Sequence, residues 1–269
     1  MMTKKEIISK SDFIISLGTM LADNTEDVRN NIIESIARTN ATFTYMHPID
    51  NIDLKLYYTQ FIKYEVGSEE GICTLLLDTF VKNCDDQTKK FIDDLDLGYI
   101  SAESSAGEEE FEEAYENSLL AKKKLLIIGD DLIEHKRIEN IIKLLALIKK
   151  YTDFELVVLD DDLENKINSC ENFDLEEIEE LKSFNGTLVY KLVEDNKNDE
   201  LIASQTFANI AKVTNNSEVY INFKDEKIKK ILKIDESLNG TIAILRVKDS
   251  DDIFNGYRYK QVKIEKAKA

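Results

Sequence analysis

Residues 13–24 read FIISLGTMLADN. The nearly unbroken apolar run of Phe13, Ile14, Ile15 and Leu17 is the pattern of a parallel strand covered on both faces. It ends at Gly18, and helix-starting residues follow. Asn24 is placed to cap a helix over residues 25–38, where Val28, Ile32 and Ile36 repeat every four positions. ATFTYM (41–46) is strand-like again and closes at His47-Pro48. Strand, glycine, helix and strand make one βαβ unit, whose first turn is where such units hold phosphate.

The same grammar returns further along. KLLIIG (124–129) is a second apolar strand ending in glycine, a helix is expected over 135–150, and FELVVL (154–159) is the next strand. In the helix Ile138, Ile141, Ile142, Leu145 and Ile148 form one stripe, which Leu144 and Leu147 widen. Two such rounds define an α/β fold with a doubly wound, mostly parallel sheet. Between them, Ile72, Leu75, Leu76, Thr79 and Phe80 mark a helix opened by Ser68. Residues 85–117, rich in acid, Ser and Gly, read as a surface excursion, a loop with a short helix, that feeds a helix running to about Lys122. That excursion is expected to contact a partner and to be dispensable to the α/β core.

Beyond Asp174 the pattern changes. A short acidic helix over 174–183 precedes the turn pair Asn185-Gly186. Short strands then dominate: TLVYKLV, SEVYINF, IKKILKI and GTIAILRV. Val219, Ile221 and Phe223 alternate with Tyr220 and Asn222, so one face is buried. The expected organisation is an α/β domain over 1–173 and a small β-barrel over 174–269, with a short helix near 204–211 and a basic C-terminal tail.

Composition narrows the functions. Asp and Glu number 53 against 35 Lys and Arg, a formal net charge of −18. Such a surface repels nucleic-acid backbones, so no nucleic-acid partner is expected. Cys73, Cys84 and Cys170 are scattered and His47 and His135 are the only histidines, which supplies no recognisable metal or iron–sulfur ligand set. The basic, then apolar start lacks a small-residue cleavage site, and no apolar run approaches 18 residues. A soluble chain without membrane insertion is expected.

As a phosphate site the glycine turns are weak. A dinucleotide fingerprint needs three glycines for close backbone approach, whereas Gly18 stands alone with Asp23 and Asp27 nearby. Gly129 is followed by Asp130 and Asp131, whose charge opposes an anion at a helix start. His135 beside these acids reads either as a general base or as a helix-start residue. Tyr57, Tyr58, Phe61 and Tyr64, and later Tyr257 and Tyr259, read either as core or as interface anchors.

Longer stretches carry a resemblance. LIASQTFANIAKVTNNSEVYINFKDEKIKKILKIDESLNGTIAI (201–244) resembles the C-terminal barrel of molybdopterin oxidoreductases, with Asn209, Val219, Phe223 and Gly240 at the matching places. DFIISLGTMLADNTEDVRNNI (12–32) and YEVGSEEGICTLLL (64–77) resemble that family's first strand–helix and its nucleotide segment. KKLLIIGDDLIEHKRIENIIKLLALIKKYTDFELVVL (123–159) and LDLGYISAESSAGEEE (95–110) are most similar to one branch, the G subunit of the peripheral arm of NADH-quinone oxidoreductase, respiratory complex I. The family's cysteine-rich and molybdenum-seating regions have no counterpart here.

The resemblance implies a non-catalytic peripheral-arm subunit of a complex I-like NADH/quinone oxidoreductase. It would scaffold or dock an electron-donor module, partnered by the other subunits on the cytoplasmic face of the membrane. No catalytic residue, metal or cofactor is expected. Where the family has Gly-Thr-Asp, this chain has Gly67-Ser68-Glu69. An occupied cleft would therefore use Gly18, Thr19, Asn24, Gly67, Ser68, Glu69 and Gly129. The alternative is a free-standing α/β protein or enzyme that binds a nucleotide or flavin.

Overall fold

The computed structural model describes residues 2–178, 180, 181, 184–194, 199–248 and 253–267. The chain divides into two compact units. The first comprises residues 1–21, 25–48 and 53–183; the second comprises 22–24, 49–52 and 184–269.

In the first unit, strands β1 (Phe13–Leu17), β2 (Thr42–Met46), β3 (Gln60–Ile62), β4 (Lys124–Ile128) and β5 (Phe154–Val158) form one parallel sheet in the order β3-β2-β1-β4-β5. Because strand side chains alternate, each strand feeds two cores. Ile14, Phe43, Tyr45, Leu125, Ile127 and Val157 face one side, joined by Ile8 of α1 (Lys4–Lys10) and Ile32 of α2 (Glu26–Thr39). Phe13, Ile15, Leu17, Leu126 and Ile128 face the other, covered by α3 (Glu69–Phe80) and α7 (Ile138–Tyr151). The doubly wound α/β architecture is therefore present, with the αβ layers in place on both faces.

Local details depart from the sequence reading. The N-cap of α2 is Thr25, which makes no side-chain cap bond, so Asn24 does not cap this helix. Residues 85–117 are a helical subassembly of α4 (Asp86–Asp93), α5 (Leu97–Ser104) and α6 (Glu108–Ser118). Asp85 and Asp96 cap the first two through bonds from the Thr88 and Tyr99 amides. Ile100, Ala106, Phe111 and Ala114 belong to the main core, and the Glu65 amide donates to the Ser104 carbonyl at 2.8 Å. The excursion is thus part of the α/β core and not an addition to it. Acidic residues dominate its sequence because only every third or fourth position is buried.

After α8 (Asp161–Asn168), residues 174–178, 180 and 181 are not helical; residues 179, 182 and 183 lie outside the described residues. Leu175, Ile178 and Leu181 pack on the first core, and the Asn140 side chain holds the Glu176 backbone from both sides. Residues 174–183 accordingly group with the first unit.

The second unit is a nearly closed, mixed barrel-like sheet of seven strands: β6 (Leu188–Val193), β7 (Glu200–Ala203), β8 (Glu218–Phe223), β9 (Glu226–Ile234), β10 (Ile242–Val247), β11 (Tyr259–Gln261) and β12 (Lys263–Lys266). Their order is β11-β6-β10-β7-β9-β8-β12, with β6/β10 and β7/β9 parallel. Helix α9 (Gln205–Ala211), capped by Ser204, buries Phe207 and Ala208 against Leu201, Val219, Ile221, Leu232 and Leu245. The basic C-terminal stretch is not a tail. Val262 and Ile264 alternate into the barrel core, Tyr259 is buried against Tyr190, and β11 and β12 pair with β6 and β8. Between them Val262 exchanges bonds with Thr187, which brings the two ends of the strand row together.

Candidate functional site

Strand order reverses between β1 and β4. At that point the following loops of a doubly wound sheet leave in opposite directions, and the crevice they open is where ligands bind. Here the loops remain joined. The Gly129 amide donates to the Leu17 carbonyl at 2.8 Å, and the Asp131 amide donates to the Gly18 carbonyl at 3.1 Å. Both glycines serve this approach. Gly18 adopts φ +71° with Leu132 packed on it, and a Cβ at Gly129 would lie 1.9 Å from the Gly18 oxygen. Thr19 is buried beside them and accepts from the Leu21 amide at 3.3 Å.

A buried polar network extends from the 129–137 turn. His47 directly follows β2, and its Nε2 lies 3.2 Å from Oδ2 of Asp131, both side chains being buried. The imidazole stacks on Tyr45, with centroids 5.7 Å apart. His135 is held on both nitrogens: Nδ1 accepts from the Arg137 amide at 3.1 Å, and Nε2 lies 3.1 Å from the Gly67 carbonyl. With Nδ1 accepting, the proton belongs on Nε2, which donates to Gly67 and faces the Glu69 carboxylate at 3.4 Å. Burial is the largest influence on this ring and lowers its pKa, against the pull of the Gly67 carbonyl and Glu70. Nearby Tyr64 is fully enclosed. Burial first, then Glu69 and Asp131, push its hydroxyl well above the ordinary tyrosine range.

The N-terminal turn of α3 is supplied with anions by the chain itself. Glu70 is buried and receives Arg137 Nε at 3.0 and 3.1 Å and Asn140 Nδ2 at 2.6 Å. Arg137 also reaches Glu176 and the Glu177 carbonyl. Carboxylates in this first turn complement the helix dipole that a bound phosphate would otherwise use.

Gly18, Thr19 and Gly129 therefore meet at the switch point, and Gly67 and Glu69 meet at His135. Ser68 is buried, its hydroxyl donating to the Glu65 carbonyl at 2.6 Å. Asn24 is exposed and groups with the second unit. The histidine that sequence reading set beside Asp130 and Asp131 is instead paired with Gly67 and Glu69, and Asp131 takes His47. Tyr58 and Phe61 stack on Tyr45 at 6.1 and 5.5 Å and pack, partly buried, against the core; Tyr64 is buried and Tyr57 is exposed. His47 and Asp131 were missed as a pair. The available signal was their position, each just past the carboxyl end of a predicted parallel strand, where such ends converge. Among the described residues no group of three His, Cys, Asp or Glu is placed to hold a metal, and no helix is long and apolar enough to cross a membrane.

Compared with known proteins, the chain matches no family model and no curated protein.

Proposed function

We propose that this chain is a non-catalytic subunit of the peripheral arm of a complex I-like NADH/quinone oxidoreductase, on the cytoplasmic face of the membrane, where it scaffolds or docks an electron-donor module. The observation that carries the non-catalytic part is the hydrogen-bonded junction of the β1 and β4 loops, which occupies the place where this architecture would receive a ligand. The histidines and the carboxylates Asp131, Glu69 and Glu70 are engaged with one another and with Arg137 and Asn140, an arrangement suited to holding loops in place. The respiratory assignment is supported by the sequence resemblance, together with a doubly wound unit followed by a small barrel in the order that the resemblance implies.

The test is a native gel of gently solubilised membranes from the source organism, probed for this chain. Migration in a band of several hundred kilodaltons (on the order of ten times the chain's mass, large enough for a many-subunit assembly) with quinone-reducing activity is expected. Migration alone near its own 30.9 kDa, away from the membranes, would overturn the assignment and favour a free-standing nucleotide- or flavin-binding protein.

A further inference from the structure

The geometry points to a second feature of the first unit, a groove where α4 turns into α5, as a docking site for a basic amphipathic helix of another protein. The groove has a volume of about 540 Å³. Its floor is apolar: Phe91, Leu95, Ile100 and Ile178 line it, with Tyr99 at 38% exposure standing at the side. Its rim is acidic, carrying Asp94, Asp96 and Glu177. Asp96 accepts the Tyr99 amide as a helix cap. Among the described residues, neither the Asp94 nor the Glu177 carboxylate forms an ion pair. Arg137, which donates to the Glu177 carbonyl, is ion-paired with Glu70 and Glu176, and Lys143 is held by Glu176 and the Asp174 carbonyl.

Charge decides what fits. Residues 85–117 contain twelve Asp and Glu against Lys89 and Lys90, and residues 171–180 contain six with no Lys or Arg. Among the described lining residues, a phosphate- or carboxylate-bearing small molecule would meet no cation and would be repelled. A metal finds no ligand trio among the described residues. A helix that places one or two large apolar side chains on the floor, flanked by Lys or Arg, satisfies both parts of the groove. Apolar anchors give such helix-in-groove contacts their affinity, and the rim charges set orientation and partner choice.

This inference deepens the docking part of the proposed function and rests on it for the existence of a protein partner. The groove's chemistry is independent of the respiratory assignment. The probe is a fluorescein-labelled amphipathic helical peptide of Lys, Leu and Trp, compared with a scrambled peptide of identical composition, both titrated into the full chain. Expected is binding of the amphipathic peptide at least about tenfold tighter than the scramble, with amide shift changes confined to residues 91–100 and 177–178. The double variant Asp94→Lys/Glu177→Lys should weaken it at least about tenfold, whereas Glu34→Lys/Glu155→Lys, with the same net charge change at distant exposed sites, should alter it less than about twofold. Tyr99→Ala should weaken binding even in high salt, where bulk attraction is screened. Equal binding of both peptides, or equal loss in both double variants, would show attraction to net charge alone and overturn the proposal. The gel reads the other claim: a chain that migrates alone yet binds the peptide in this groove retains the docking site and loses only the respiratory assignment.

Discussion

At the scale of single residues, two glycines separate close approach from ordinary flexibility. A methyl group at Gly129 meets the backbone of Gly18 and the Thr19 Cβ at 2.5 Å or less, and backbone cannot swing aside as a side-chain tip can. Gly129→Ala should therefore destabilise the first unit by about 3 kcal/mol, the upper part of the range for overpacking. Gly98, in the first turn of α5, is the counter-case, since its nearest obstacle is 3.7 Å away. Gly98→Ala should stabilise by up to about 1 kcal/mol through helix propensity. Urea unfolding of the two variants should give shifts of opposite sign; a neutral Gly129→Ala would mean that the loops after β1 and β4 separate freely. His135 makes a pH prediction. Its folded pKa lies below the ordinary 6.5, so at lower pH the unfolded chain binds the proton first. The stabilisation is complete above 6.5 and is lost as pH falls towards the folded value. Glu69, Glu70, Lys136 and Arg137 face the ring, and burial outweighs the carboxylates among them. In His135→Gln, whose amide can still donate to the Gly67 carbonyl, the unfolding midpoint should fall less between pH 7 and pH 5 than in the wild type. An unchanged slope would assign the pH dependence to other groups.

At the scale of elements, what the sequence revealed depended on how each element is stabilised. Strands β1 and β4 and helix α7 were legible because burial on both sides leaves a continuous apolar run or a wide stripe. The edge strand β5 was legible from Leu156, Val157 and Val158 despite its exposed Glu155. In the α4–α6 region the helix leading towards Lys122 was legible and is α6. Its start and the packing of α4 and α5 were misread as a surface loop, because each of those two helices is only about two turns long and buries few residues. The candidate site was legible in its backbone and hidden in its side chains. Gly18 and Gly129 stand out as glycines ending apolar runs, but the His47–Asp131 contact spans 84 residues, and no local pattern encodes it. The C-terminal strands failed for another reason. Lys260 and Lys263 made the segment look like a solvated tail, although Lys260 is buried, with its ammonium donating to the Asn255 carbonyl at 2.6 Å. Its stem can lie along apolar surface while the charged end finds a partner. A truncation after Val262 tests this directly. It removes β12, exposes the β8 edge from Val219 to Asn222 and uncovers Ile221. The second unit should lose protease resistance while tryptic fragments of the first remain intact. Survival of both units would mean that the barrel does not need its last strand.

At the scale of the whole molecule, the acidity is not spread evenly. The first unit carries 38 Asp and Glu against 20 Lys and Arg, whereas the second, which includes Asp23 and Asp50, carries 15 against 15. Nearly all of the self-repulsion therefore falls on the α/β unit, where clusters on α6, α8 and residues 171–180 add to a common negative field. Screening should relieve it selectively. Going from about 0.01 M to about 0.15 M NaCl shortens the Debye length from about 30 Å to about 8 Å. That distance is shorter than a domain, so charges on separate helices stop acting on one another. Each kcal/mol relieved raises the melting temperature of a unit this size by about 2–4 °C. Calorimetry with hydrogen exchange to assign the transitions should show the first unit rising by a few degrees and the barrel shifting by less than half as much. Ion pairs within the barrel, such as Lys229–Glu218 and Lys227–Glu265, weaken slightly over the same range, and they push its transition the other way. Equal shifts in both units would mean that the acidic side chains are neutralised locally and exert no common field. In that case the field could not draw a basic partner towards the α/β unit, and any such preference would have to come from short-range contacts alone.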